Sequence, residues 1–432
     1  YIDHSTNRVG IGTTSPSQKL DVSGKIAVNG QTAVYIPLGS FTGSSFYGDG
    51  GGSLSYVSGN DGQRNTGVGI GALFSNTTGK FNIASGYRSL YTNTIGNYNV
   101  ASGVYSLLSN TTGSYNVASG YQTLFTNTIG NFNTAIGGYS LYSNIDGLGN
   151  VASGYQTLYT NTEGSYNVAS GYHALRSNTE GDHNIASGYQ SLYANTTGTY
   201  NIASGWRSLF ANLSGTHNIA IGFQSLYSNT TGVYNVASGG ESLYSNTTGS
   251  HNIAVGYGAG RYIASGSNQT SGTSVYLGSN TKALADGGAN EIVIGYNAIG
   301  NGSNTVTLGN TSVTKTILQG NVGIGTTGPA YPLDVSGIIK TSSSFLGTTV
   351  IIQKVTALNA NGIQFTNNGG SEKMRISDAG NVGIGTVSPT NSGNYHTLDI
   401  RGTNGGQIIA GRGSHQDFFM YTDSSGANIG AL

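Results

Sequence analysis

Between residues 65 and 256 the chain repeats one arrangement of apolar and polar positions every seventeen residues. The unit reads Asn, Val, Ile or Thr, Ala, Ser or Ile, Gly, two variable residues, Ser or Thr, Leu, two variable, Asn, two variable, Gly, two variable, with few departures. Twelve asparagines open successive copies, from Asn65 through Asn99 and Asn116 to Asn252. A glycine follows each of them four residues later, as at Gly103 and Gly120. In the first eleven copies a leucine follows at eight residues, as at Leu107 and Leu124, and a second asparagine at eleven, Asn76 to Asn246. A second glycine comes three residues further on, Gly79 to Gly249. So strict a period predicts one small unit stacked on copies of itself.

Helix does not fit that unit. No apolar stripe of period 3.6 is sustained, and each glycine would cost about 1 kcal/mol in a helix interior. Strand fits: in Asn116-Val117-Ala118-Ser119-Gly120-Tyr121 the side chains alternate between two faces. One face receives Asn, Ala and Gly, which permits close approach of another backbone. The segment Asn110-Thr111-Thr112-Gly113 reads as a turn in which Asn and Gly take positive φ. Each unit is then expected to form a short strand, a corner, a second short strand around Ser-Leu-Tyr, and a turn. Rungs about 4.8 Å apart would make eleven units a rod of about 50 Å.

With Ala and Leu inside, the column Ile83, Val100, Val117, Val151, Val168, Ile185, Ile202, Ile219 and Val236 faces outward. An outward apolar stripe along a rod is an interface, and a closed ring of copies is the simplest way to cover it. Two aromatic columns run beside it, Tyr87, Tyr121, Tyr155, Tyr172, Tyr189 and Trp206 in one, and Tyr91, Tyr142, Tyr159, Tyr193, Tyr227 and Tyr244 in the other. Ring stacking between rungs is the structural reading of both. Sugar contact is the functional reading of the first, through Tyr121, Tyr155, Tyr172, Tyr189 and Trp206.

Composition narrows the class further. The chain has 432 residues, 71 of them Gly, with only 8% charged and 5 Pro. Collagen needs a three-residue glycine period, which is absent, and 29 Tyr with low charge argue against disorder. Seventeen basic residues balance seventeen acidic ones, so nothing favours nucleic acid. No apolar run approaches the length of a membrane-spanning helix, and no membrane insertion is expected. No signal peptide is visible, although the chain opens on Tyr1 rather than Met, which removes the weight of that observation. With no cysteine there are no disulfides and no thiolate metal sites.

A second phrase brackets the repeat. Asn7-Arg8-Val9-Gly10-Ile11-Gly12 leads to Leu20-Asp21-Val22-Ser23-Gly24, and returns as Asn321 to Pro329 with Leu333 to Gly337, and as Asn381 to Pro389 with Leu398 to Gly402. Each reads as a strand, a Pro-containing turn and a second strand. Together with Glu372 to Gly380, these phrases resemble shaft segments of bacteriophage tail fibres and related surface fibres. In that family such segments lie upstream of an endosialidase-type intramolecular chaperone. The seventeen-residue block, and Asn290 to Gly295 echoed by Asn304 to Gly309, resemble the head repeats of trimeric autotransporter adhesins. The resemblance covers roughly residues 7–26 and 65–402. It implies a β-roll, a homotrimer, and a place on a virion tail fibre or an extracellular cell surface. Neither the chaperone nor a long coiled-coil stalk is visible within these residues.

Catalytic chemistry is sparse. Gly67-Val68-Gly69-Ile70-Gly71 lacks the Lys-Ser/Thr of a phosphate loop. His183, His217 and His251 share a column that otherwise holds Tyr or Phe, and intervening tyrosines break any metal ladder. Glu163, Glu180 and Asp182 fall in or near turns, with no case for the cleft a glycosidase pair needs. The Asn-Thr-Thr-Gly sequons are explained by turn chemistry. Beyond Gly320 the period ends, and Val350–Gln353, Ile363–Phe365, Met374–Ile376, Gln407–Ile409 and Phe418–Tyr421 read as strands.

The sequence therefore predicts an all-β protein. It divides into a β shaft module at 1–60, a parallel β-solenoid or β-roll at 61–260, an adhesin-head-like β-roll at 261–320, and shaft modules with a small β region at 321–432. The expected role is a non-enzymatic fibre shaft, without catalytic, cofactor or metal residues, that mediates attachment to a glycan or protein receptor on a cell. A cell-surface trimeric adhesin, and a polysaccharide-degrading tailspike, are the alternatives.

Overall fold

The computed structural model describes residues 63–266 and 270–336 continuously, with shorter stretches before and after them. It is all-β and contains no helix among the described residues. Two compact units divide at Thr316 and Ile317.

The first unit is a parallel β-solenoid. Fifteen short strands, from Thr66–Val68 to Thr305–Leu308, stack in parallel. Their register holds at seventeen residues through the repeat block, with Ala84 opposite Ala101 and Ala101 opposite Ala118. It then stretches at Ile253 opposite Val275 and tightens at Ile292 opposite Val306. The antiparallel strands Lys25–Val28, Gln31–Tyr35 and Ser45–Tyr47 precede the ladder, and the last of them pairs in parallel with Thr66–Val68.

Copy 99–115 illustrates one rung, and its positions are counted from Asn99 as 1. Val100–Ser102 is the strand, with the central Ala101 buried and both neighbours outward. The expected second strand around Ser-Leu-Tyr does not form. Instead the chain turns through left-handed residues at Tyr105 (φ 59°) and Leu107 (φ 50°). Those φ values are unfavourable for side-chain-bearing residues. They nevertheless keep every rung bonded to its neighbours: Tyr105 N–H donates to Tyr87 O at 2.9 Å below, and Leu107 N–H to Thr123 O at 2.9 Å above. Each leucine is fully buried, which stabilises it by about 2 kcal/mol.

The turn also differs from expectation. Positive φ falls on Gly103 (137°) and on Tyr105, Leu107 and Tyr115, not on Asn110 or Gly113. Gly113 is required for space. A β-carbon there would stand 2.4 Å from Asn110 Oδ1 and 2.5 Å from Gly130 O. Gly103 is required on both counts, since a β-carbon would lie 2.3 Å from Gly120 O.

Polar residues fill much of the interior. Asn99, Asn110 and Asn116 have no exposed surface. Asn99 Nδ2 and Asn110 Nδ2 both donate to Gly113 O, at 2.8 and 2.9 Å. Asn116 N–H donates to Asn99 Oδ1 at 3.0 Å, and Asn110 Nδ2 to Asn93 Oδ1 at 2.7 Å. Two asparagine ladders thus run lengthwise through the roll, one on each side of a column of glycine carbonyls. Buried amides are tolerable because each finds its partners in the adjacent rung.

In the second unit, Val322–Ile324 pairs in parallel with Leu333–Val335. Val382–Ile384 pairs the same way with Leu398–Ile400 and, on its other edge, antiparallel with Glu372–Ile376. In the first unit Arg8–Ile11 repeats the parallel arrangement with Leu20–Val22. The three copies of the flanking phrase therefore share one construction, a parallel pair. Ile363–Thr366, Gly406–Ala410 and Phe418–Asp423 are strands as expected, while Val350–Gln353 lies outside the described residues.

Candidate functional site

The residues singled out from the sequence separate into an interior set and an exterior set. Asn99, Asn116, Gly103, Gly120, Leu107 and Leu124 build the rung itself. Val117, Val168 and Ile185 stand outside, 37%, 43% and 45% exposed, as do most members of their column. The outer face of the sheet carries, in order across each rung, position 17 of the preceding copy, then positions 2, 4 and 6. In residues of the copies around Val168 these are Tyr166, Val168, Ser170 and Tyr172. An aliphatic line and a serine line thus run between two aromatic lines.

The rings of these columns stack on one another. At position 6, Tyr155, Tyr172 and Tyr189 have centroids 5.5 and 5.4 Å apart, and Trp206 and Phe223 continue the stack. Tyr121 stands outside that stack and meets Tyr139 edge-on at 5.2 Å. At position 10, Tyr142 and Tyr159 stack at 5.1 Å, and Tyr193, Phe210, Tyr227 and Tyr244 follow at 5.0–5.1 Å. Arg176 takes the place of a ring between Tyr159 and Tyr193, its guanidinium 5.3 and 5.8 Å from their centroids. That exchange preserves the ladder, because a planar cation stacks on aromatic faces as a ring does.

A third aromatic column, at position 17, alternates chemistry. Tyr166, His183, Tyr200, His217, Tyr234 and His251 stack at 4.8–5.2 Å. Each histidine is separated from the next by a tyrosine, so the column works as stacked rings. Among the described residues no group of three or more His, Cys, Asp or Glu side chains is placed to hold a metal. Glu163 and Glu180 occupy exposed turns of adjacent rungs. Asp182 accepts Ser165 N–H at 2.6 Å and so serves the turn.

His173 is different. It sits at position 7, beneath Tyr172 at 3.9 Å, with both ring nitrogens buried and without partners. Burial, and secondarily Arg176, hold its pKa below the ordinary imidazole value.

Sequence reasoning missed one arrangement. Position 6 lacks a ring at Ile70, Val104, Gly138 and Gly240, and the side chain at position 7 differs among the last three. Tyr105 and Tyr139 meet the neighbouring rings edge-on, whereas Glu241 carries a carboxylate. The signal was present in the sequence as a coincidence of two columns, but its meaning depends on their being adjacent in space. No helix among the described residues is long and apolar enough to cross a membrane. Compared with protein-family models, curated proteins and solved structures, the chain finds no match, so its functional reading rests on this geometry.

Proposed function

We propose that this chain is a structural fibre protein. In this reading the solenoid is a rigid section of an extracellular or virion tail-fibre shaft, three copies associate along their Val/Ile columns, and the assembly attaches to a cell surface. The observation that carries it is the aliphatic column itself. Val100, Val117, Val151, Val168, Ile185 and Ile202 remain 36–45% exposed on a flat sheet face while Ala and Leu fill the interior. An apolar line on a rod, broken here only at Thr134 between Val117 and Ile202, is the kind of surface that a second copy covers.

The adhesin alternative shares this architecture and differs in how the fibre is anchored. A glycan is the receptor class proposed in either case, met by those ring faces at position 6 that stacking leaves open. The depolymerising alternative needs a carboxylate pair in a cleft, whereas Glu163 and Glu180 stand on exposed turns; release of oligosaccharide from host capsule would favour it.

Sedimentation velocity of the full chain tests the association. The expected result is a trimer that dissociates when Val117, Val168 and Ile185 are all replaced by Lys, with the far-UV circular dichroism unchanged. A wild-type chain that sediments as a monomer at all concentrations would remove the proposal.

A further inference from the structure

Aromatic stacking in the position 6 column uses up the faces of its own rings. Tyr172 lies between Tyr155 and Tyr189, parallel within 17° and 5°. A pyranose needs a ring face, and interior members of the stack offer only edges. Faces open only where the column is interrupted. At Val104 the neighbouring Tyr105 turns edge-on to Tyr87 at 5.3 Å. At Gly138, Tyr139 is edge-on to Tyr121 at 5.2 Å and to Tyr155 at 5.9 Å.

Gly240 is the internal interruption at which position 7 holds Glu241 in place of a tyrosine. Phe223 stacks on Trp206 at 4.9 Å on one side. Its other side faces the missing ring, and it is 48% exposed. Tyr257, 54% exposed, stands two rungs from Phe223 on the far side of Gly240, about 9.6 Å along the axis by ordinary strand spacing. The Tyr257 ring leans toward the gap, its Cδ2 3.2 Å from where a β-carbon on Gly240 would be. Its hydroxyl donates to Glu241 Oε2 at 3.0 Å, and Glu241 is ion-paired with Arg261. The guanidinium of Arg261 lies over Tyr262 at 4.8 Å and Tyr244 at 5.4 Å.

We propose that this notch binds one pyranose ring of a surface glycan. Phe223 supplies an open face for the C–H side of the sugar and Tyr257 the opposite wall. Glu241 and Arg261 supply a charged acceptor and donors for hydroxyl groups at the ring edge. An aromatic side chain at 240 would have to push back the Tyr257 ring, and would cover the ion pair without giving its remaining donors and acceptors partners. A ring that is apolar on its faces and hydroxylated at its edge satisfies both. The inference rests on the attachment reading above and gives it a location.

The test uses the full chain and neutral hexasaccharides of glucose, galactose or mannose. Trp206, the only tryptophan, is the ring beneath Phe223, so its emission reports on the notch. At least one hexasaccharide is expected to shift that emission saturably. Gly240→Tyr restores the residue type found elsewhere in the column, at a position with no positive-φ requirement. It should weaken binding by at least about tenfold with the far-UV circular dichroism unchanged. Glu241→Gln should weaken it several-fold, and Tyr121→Ala, far down the column, should leave it unchanged. Binding that survives Gly240→Tyr overturns the notch while leaving glycan attachment intact. A chain that attaches to intact cells but binds no hexasaccharide overturns the notch alone, and a chain that does neither removes the attachment reading as well.

Discussion

The ring of Tyr276 occupies the space that Gly260 leaves open. Tyr276 stands where every rung of the repeat from 82 to 252 has alanine, and Gly260 where the first eleven have leucine. A β-carbon on Gly260 would lie 2.8 Å from Tyr276 Cδ2. Gly260→Leu alone should cost about 1–3 kcal/mol by overpacking, and Tyr276→Ala alone about 3–5 kcal/mol by opening a cavity. The double variant recreates the alanine–leucine pairing and should cost clearly less than the sum. Urea denaturation of all four proteins measures the coupling; additive losses would mean the two sites are independent.

The asparagine ladder should be sensitive to a single missing amide. Asn116→Ala removes the acceptor of Asn133 N–H and one donor to Gly130 O, both inside the roll. Buried groups left without partners cost about 1–3 kcal/mol each. Denaturation midpoints of Asn116→Ala and of an exposed control, Ser119→Ala, should differ by that order. Equal midpoints would show that the ladder contributes little.

Two glycines with positive φ should respond oppositely. Gly103 (φ 137°) lies in a region that side chains avoid and abuts Gly120 O, so Gly103→Ala should destabilise by several kcal/mol. Gly149 (φ 64°) stands in the column where Tyr115 and Tyr166 have nearly the same φ. Gly149→Tyr meets only the Tyr166 ring, which moves aside, and joins the stack between Phe132 and Tyr166. It should be neutral or stabilising in thermal melts.

Acid should act through His173. Its pKa is depressed in the folded chain, so the unfolded chain takes up a proton first as pH falls. Stability is full above the ordinary imidazole value near 6.5 and declines as pH drops from there toward the lower folded value. Gln stands at the same position in Gln122, Gln156, Gln190 and Gln224. His173→Gln should therefore flatten the loss of melting temperature between pH 7 and pH 5. An unchanged pH profile would place the acid sensitivity elsewhere.

Period and interior were legible because they depend on what repeats. The positions of Ala118 and Leu124 hold alanine and leucine in eleven of the twelve copies, and stacking buries whatever is apolar and constant. The outward direction of Val117 followed from strand alternation. Three things were not legible. Asn116 falls on the close-packed face by alternation, but its partners do not follow from that, because an amide's ordinary partner is water; only the spacing between rungs makes another asparagine the better one. Tyr105 and Leu107 read as strand, because left-handed backbone is normally left to Gly and Asn; here bonds to the rungs above and below overrule that preference. The aromatic columns were visible as columns, yet whether Tyr172 turns its face or its edge outward depends on side-chain direction, which a one-letter pattern does not carry.

The uniform seventeen-residue register has a consequence for how such a chain changes over generations. A duplication or loss of one whole unit lengthens or shortens the rod by a single increment of about 4.8 Å and leaves its cross-section untouched. An insertion of one residue within a strand, by contrast, would turn Ala outward and Val inward in that rung. The repeat block is in this sense a ruler cut at its own graduations, and the intervals of other length lie beyond it, at Ile253–Val275 and Ile292–Val306.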